Sequence, residues 1–167
     1  MAQASAKGQV VVKYGPYGSQ MPESFSMVIE DCETIKEVII RHGWIVDAIG
    51  FKMVKPNRDT TTKMFNENFG HYESKIVLKS GEYITQISGT YGNFLQLQGK
   101  DRAIATLKIH TNLCPAGYGP YGLGKEVTNV CNFSSPVPPP GRIVGFFGRH
   151  NQYFESIGIF AKTDCAC

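Results

Sequence analysis

One short pattern recurs along this chain, and that recurrence constrains the fold more than any single segment does. "GWIVDAIGF" begins at Gly43, "GEYITQISG" at Gly81 and "NQYFESIGI" at Asn151. Each copy has a turn residue, three positions of mixed type, a polar side chain, one variable position and then Ile. A second string, "YGPYG", occurs at residues 14–18 and again at 118–122. Self-similarity of this kind means one supersecondary unit used repeatedly, each copy packing against its neighbours.

The repeated unit is built from β-strands. "QVVVKY", "IKEVIIRH", "WIVDAIGFKMV", "SKIVL", "YITQISGTY", "FLQLQG", "AIATLKIHT", "RIVGFFG" and "YFESIGIFA" are β-branched or aromatic runs of strand length. Turn signals separate them every ~8–12 residues, the spacing of a sandwich, barrel or prism. Helical signals are confined to "PESFSMVIEDCETIKEV", with room for a turn or two, and "TTKMFNENFGHYES", a short helix ahead of its strand. "NFSSPVPPPG" carries three consecutive prolines, which cannot donate to a sheet ladder, so it reads as a surface connection. Glycine-containing loops at 14–20, 66–72 and 117–124 can each pair with one of the three hairpin turns. The last turn, 151–155, then pairs with the first loop, so both chain ends share one sheet. The expected architecture is all-β: three four-stranded antiparallel sheets about a pseudo-threefold axis, forming one domain over residues 1–167 with a cysteine-bearing tail at 162–167.

Composition narrows the function. Apolar residues make up 42% and charges 19% of 167 residues, enough to bury a real core. A net charge of +3 without a basic run argues against nucleic acid. No apolar stretch reaches the roughly 18 residues of a membrane helix, so no membrane insertion is expected. The opening "MAQASAKGQ" lacks an apolar signal core, which implies a cytosolic protein or a mature form with an added Met. Five cysteines, Cys32, Cys114, Cys131, Cys165 and Cys167, match neither zinc nor redox spacings. Structural disulfides in an oxidising, extracellular setting are the better reading. Cys114 and Cys131 bracket the third loop and can bridge adjacent strands. Cys32 then pairs with Cys165 or Cys167, leaving one tail thiol for a bond between two chains. The sequon at Asn132 fits secretion.

The chemistry gathers at the repeated turns. A glycine ahead of a carboxylate frees the backbone to aim N–H groups outward beside an acceptor-only side chain. That pair complements the vicinal hydroxyls of a sugar, and a nearby ring can cover its C–H face. Nothing there supplies a nucleophile or an acid–base pair, so the turn binds without cleaving, and no enzyme is expected. The four histidines occupy separate segments and give no convergent metal site, so neither metal nor cofactor is expected. "GYGPYGLGK" lacks the spacing of a phosphate loop.

These residues carry a resemblance. "GPYG", "GWIVDAIGF", "SGEYITQISGTYGNFLQLQG", "YGPYG" and "GRIVGFFGRHNQYFESIGIF" together resemble a jacalin-related lectin of the mannose type over nearly the whole chain. The resemblance implies a β-prism I fold and metal-independent binding of α-linked gluco- or manno-oligosaccharides or glycoproteins. It assigns the primary site to Asn151, Gln152, Tyr153, Phe154 and Glu155, with Gly18 of the first loop alongside. Where the family has Gly and Asp, this chain has Asn151 and Glu155, and "SQMPES" replaces a second glycine pair. Pro22 stands about where a glycine N–H meets the sugar. Altered sugar preference follows from these departures.

The first repeat keeps the full pattern, so Gly43, Trp44, Ile45, Asp47 and Gly70 make a possible second site, unless Trp44 is packing. The middle repeat has Thr85 at the acid position, so no third site is expected. The ending "TDCAC" resembles animal members with cysteine-bearing tails, such as the zymogen-granule lectin and bivalve mantle lectins. A disulfide-linked homodimer is therefore expected. The second functional reading is an extracellular matrix or biomineral-associated protein that uses the prism as a scaffold.

Overall fold

The computed structural model describes residues 10–97, 102–137 and 141–162. Twelve strands and one short 3₁₀ turn follow one another: β1 (Val11–Gly18), β2 (Phe25–Val28), β3 (Thr34–His42), β4 (Val46–Val54), β5 (Thr60–Phe65), β6 (Tyr72–Val77), β7 (Ile84–Phe94), the turn Leu95–Leu97, β8 (Arg102–Thr111), β9 (Tyr118–Tyr121), β10 (Val127–Ser134), β11 (Arg142–His150) and β12 (Phe154–Lys162). They form three four-stranded sheets, ordered β1-β12-β11-β2, β5-β4-β3-β6 and β10-β7-β8-β9. Every pairing is antiparallel.

The expected three-sheet architecture holds, and so does the sharing of one sheet by the two chain ends, through β1 and β12. The two "YGPYG" copies occupy equivalent outer strands, β1 beside β12 and β9 beside β8. Each breaks the ladder register at its Gly-Pro step, between Tyr14 and Tyr17 and between Tyr118 and Tyr121.

Each sheet is a central hairpin, β3–β4, β7–β8 or β11–β12, flanked by shorter outer strands. The central hairpins are rich in Ile, Val and Phe and are buried almost throughout; β12, for example, is buried over Phe154–Ile159. Their inward residues form the core, including Val38, Ile40, Phe51, Ile87, Leu107 and Phe146. Phe51 of β4 stacks on Phe146 of β11 with centroids 4.3 Å apart, clamping two sheets together. Truncating either ring to Ala should cost about 3–5 kcal/mol.

Four sequence expectations fail here. The segment 22–38 holds no helix; it makes β2 and the start of β3. Residues 61–74 make β5 and the start of β6, because extended pairing with β4 and β3 satisfies their backbone. "FLQLQG" is not a strand of its own: Phe94 ends β7 and residues 95–97 form the 3₁₀ turn. The echo at Gly81 does not mark a hairpin turn. It precedes β7, and Ile84 pairs with Thr111 at the far end of that hairpin. The true counterpart of the other two turns follows Phe94, so Thr85 says nothing about a third site.

The three central hairpins meet at one end of the prism. Ile45, Phe94 and Ala103 are buried together there, with Tyr153 and Val127 packed on them. The loops 19–24, 66–71 and 122–126 close over the same end. Leu123 and Lys125 donate backbone N–H groups to the carbonyls of Gly43 and Trp44, at 3.0 Å each.

The expected bridge between Cys114 and Cys131 is not made, and both are free. Cys114 follows the end of β8, whereas Cys131 lies on β10 opposite Tyr91, with β7 between the two strands. They are separated by roughly 10 Å across the sheet and about 20 Å along it, well beyond the ~7 Å limit for a disulfide. Cys32 is disulfide-bonded. Cys165 and Cys167, and the tail they belong to, lie outside the described residues.

Candidate functional site

The turn between β11 and β12 is closed by the N–H of Asn151 donating to the carbonyl of Tyr153 at 3.1 Å. The turn between β3 and β4 is closed identically, by Gly43 donating to Ile45 at 2.9 Å. The parallel extends along both strands: Arg41-His42-Gly43 matches Arg149-His150-Asn151, and Asp47 matches Glu155. Each turn therefore places a carboxylate four residues on, half-buried at Asp47 and buried at Glu155.

Beside each turn a left-handed glycine lets the neighbouring loop approach. Gly18 has φ of +105°, and a Cβ there would stand 2.5 Å from the carbonyl oxygen of Glu155. Only the missing side chain allows β1 to run so close, so that Ser19 N–H can donate to that carbonyl at 3.0 Å. Gly70 has φ of +112°, and a Cβ there would meet Arg41 Cβ at 2.7 Å and Asp47 Cβ at 3.4 Å. The fold thus brings Gly18 to Glu155 and Gly70 to Asp47.

The individual positions separate into exposed and packed ones. At the last turn, Asn151 and Gln152 are exposed. Tyr153 turns toward the axis and packs edge-on against Phe94 at 5.1 Å. Phe154 is fully buried beside Phe25, so its ring is closed to a ligand and only its backbone can serve. At the first turn Ile45 is likewise buried. Trp44 is 42% exposed, and Lys125 Nζ lies 4.8 Å above its ring. One face of the indole is thus engaged by a cation, a contact worth roughly 0.5–1 kcal/mol at an exposed position.

The two carboxylates have different surroundings. Glu155 is buried, and its Oε2 accepts from Arg149 Nε at 2.6 Å. Arg149 also donates from Nη1 to the carbonyl of Pro22 at 2.9 Å, tying the first loop to the pair. Ser24 completes that closure: its hydroxyl donates to the carbonyl of His150 at 3.0 Å, and His150 N–H donates back to it at 2.9 Å. Burial lowers the pKa of His150, against the opposing attraction of Glu155, so its ring is neutral near pH 7.

Arg41, the counterpart of Arg149, turns away from Asp47. It pairs with Glu73 at 3.3 Å and donates to the carbonyl of Glu67. Among the described residues no cation forms an ion pair with Asp47. Burial instead pushes its carboxyl up to about 6, against the opposing pull of His71. Asp47 is the less committed acceptor of the two.

The sequence singled out neither Arg149 nor Ser24 as site residues. The arginine stood within "FFGRHNQ", and its role was hidden because Arg149 and Glu155 meet only across the closed hairpin, where Arg149 pairs with Ser156. Among the described residues no group of three or more His, Cys, Asp or Glu side chains gathers as a metal site.

Comparison with known proteins points to one family. The profile of the jacalin-like lectin domain matches residues 14–160. The chain is 31% identical over 156 residues to the mannose/glucose-specific lectin of Parkia platycephala, covering 93% of this chain and 33% of that protein. It thus spans about a third of the length of that relative and of its Parkia pendula counterpart. Horcolin of Hordeum vulgare is 32% identical over 157 residues, covering 89% of this chain and 95% of the relative. Among solved structures, Calystegia sepium agglutinin matches with a TM-score of 0.74 at 25% identity, over 93% of this chain and 98% of the other. Malaysian banana lectin matches with a TM-score of 0.73 at 26% identity, over 93% and 100%. These relatives are plant lectins.

Proposed function

This chain belongs to the family of jacalin-like lectin domains, and from that premise we propose that it binds carbohydrate at two hairpin turns, 43–47 and 151–155. One observation carries the reading. Two turns closed by the same backbone hydrogen bond each present a carboxylate beside a left-handed glycine that admits a neighbouring loop. An ionised carboxylate accepts from sugar hydroxyls, and backbone N–H groups at the turn donate to them.

The ligand class is α-linked gluco- or manno-oligosaccharides, free or on glycoproteins. Relatives named mannose/glucose-specific lectins support it. The turn at Asp47 carries the freer acceptor, whereas Glu155 must share its charge with Arg149. A sugar at the last turn therefore meets a carboxylate–guanidinium pair rather than a lone acid. No nucleophile or acid–base pair stands at either turn, and the protein acts as a lectin, not as an enzyme.

An extracellular setting and association into a disulfide-linked homodimer belong to the same proposal. The disulfide at Cys32 supports the first, since such bonds persist in oxidising compartments. The scaffold role in matrix or mineral is disfavoured, because the relatives are sugar-binding proteins by name.

A glycan array at neutral pH, with and without a chelator, tests the reading. The expected result is binding to gluco- and manno-glycans that survives chelation. An array without signal, from a protein that adsorbs to mineral, would return the scaffold reading to first place.

A further inference from the structure

Asn132-Phe133-Ser134 is the one Asn-x-Ser/Thr triplet in the chain, and the sugar-binding turns make no use of it. It lies on β10, the outer strand of the sheet β10-β7-β8-β9. Successive side chains of a strand point to opposite faces. Phe133 is buried in the core, so Asn132 and Ser134 stand on the outer face, where both are exposed. Across the sheet Asn132 pairs with Thr90 and Thr90 with Thr106, and the two threonine hydroxyls lie 2.7 Å apart. The row beside the asparagine is therefore one of short hydroxyl side chains.

The amide of Asn132 is uncommitted, which sets it apart from other asparagines of the fold. Asn66 donates to the carbonyl of Asp47 at 2.8 Å. Asn112 accepts from Tyr83 N–H at 2.9 Å and donates to the carbonyl of Gly81 at 3.0 Å. The side chain of Asn132 makes no hydrogen bond among the described residues. A bulky group on its nitrogen would break no bond of the prism. The residue before it adds a second observation: Cys131 is exposed and free. An accessible thiol in an oxidising compartment pairs or oxidises unless something covers it.

We propose that Asn132 is the acceptor of an N-linked glycan, whose bulk covers the thiol of Cys131 and the open edge of β10. The inference rests on the extracellular reading and extends it. The donor is a lipid-diphosphate-linked oligosaccharide, supplied by the secretory compartment. Asn132 Nδ2 forms a bond to C1 of the first sugar as the bond from C1 to the phosphate oxygen breaks. The amide gives up one proton, and the lipid diphosphate leaves with the electron pair. Transfer takes place on the unfolded chain, before the hydroxyl of Ser134 accepts from Gln86 Nε2 at 2.7 Å.

A glycan at this position is solubilising, and it blunts an outer strand that could otherwise pair with another chain. It also leaves the sugar-binding turns clear. Thr90, opposite Asn132, lies four residues, or roughly 13 Å, before Phe94 at the turn end of β7. The turns 43–47 and 151–155 belong to the other two sheets.

The full chain, secreted from eukaryotic cells behind an added leader, tests the proposal. Its intact mass should exceed that of the chain by one glycan, which peptide N-glycosidase removes while converting Asn132 to Asp. Asn132→Gln and Ser134→Ala should each abolish the added mass, and Ser134→Thr should keep it. Glycan-array binding by Asn132→Gln should match that of the unaltered protein. Maleimide labelling of Cys131, read by peptide mapping, should be several-fold slower in the glycosylated chain than in Asn132→Gln. A folded chain that reaches the medium unmodified at Asn132 would overturn the acceptor and leave the extracellular reading standing. Equal labelling rates would overturn the covering of Cys131. A chain retained in the cell with Cys32 reduced would overturn the extracellular reading and the acceptor with it.

Discussion

Arg149 Nε stands 2.6 Å from Glu155 Oε2, while Arg41, at the equivalent position of the first repeat, leaves Asp47 and pairs with Glu73. The same local sequence, Arg-His-turn, thus builds two electrostatically different sites. Glu is one methylene longer than Asp, and at the last turn the arginine and the acid meet. At the first turn Glu73 and the carbonyl of Glu67 take the arginine instead.

The first prediction concerns stability. Glu155 is buried, so removing Arg149 leaves a charged acceptor without its donor. Arg149→Ala should destabilise the fold by about 1–3 kcal/mol. Arg149→Ala with Glu155→Gln should recover part of that loss, since the orphaned charge is gone. Urea unfolding of the single and double variants would check it; a double variant less stable than Arg149→Ala would count against the pair as described.

The second concerns stoichiometry. Two working turns should give two sugars per chain by titration calorimetry. Asp47→Ala and Glu155→Ala should each weaken one site by roughly 10–100-fold, the loss of a charge-assisted hydrogen bond. A single site in the unaltered protein, indifferent to Asp47→Ala, would make Trp44 and Asp47 structural residues.

The third concerns pH. The carboxyl of Asp47 is raised by burial to about 6 in the folded chain, above the ~3.9 of an unfolded Asp. Between those values the folded state binds more protons than the unfolded state, so stability falls as pH rises through that window. Asp47→Asn should therefore stabilise the protein at pH 7, and the gain should fade toward pH 4. Sugar binding at this turn needs the ionised acid, so affinity there should drop below pH 6. Thermal unfolding and binding measured at pH 4.5 and pH 7.5 would check both signs; a gain independent of pH would contradict the assignment.

The fourth concerns association. Cys131 is exposed and free, Cys114 is free, and Cys32 is bonded. A covalent dimer through the tail should run at twice the chain mass on non-reducing electrophoresis. It should disappear on replacing Cys165 and Cys167 by Ser, with sugar binding retained. A dimer that persists there but vanishes in Cys131→Ser would move the bridge to β10.

Much of the prism could be read from the chain itself. The central hairpins announce themselves because their residues are buried by whatever lies across the sheet, so Ile, Val and Phe dominate locally. The echo between Gly43 and Asn151 was legible for the same reason: two equivalent turns need similar residues at similar spacing. The outer strands were harder. β5 reads "TTTKMF", and all but two residues of β10 are exposed, so neither carries an apolar alternation to detect.

What the chain alone determined was the strands of the three central hairpins, the repeated turn with its carboxylate and the closure of the first loop on the last turn. Each follows from local pattern and turn chemistry. Tertiary structure alone decided three other matters. It set the third sheet's register, which moved the Gly81 echo away from the hairpin turn. It placed β7 between Cys114 and Cys131, which prevents their bridge. It also joined Arg149 to Glu155, leaving Asp47 without an ion pair among the described residues. All three depend on which residues face one another across paired strands, and that distance is fixed by the assembled sheets rather than by separation along the chain.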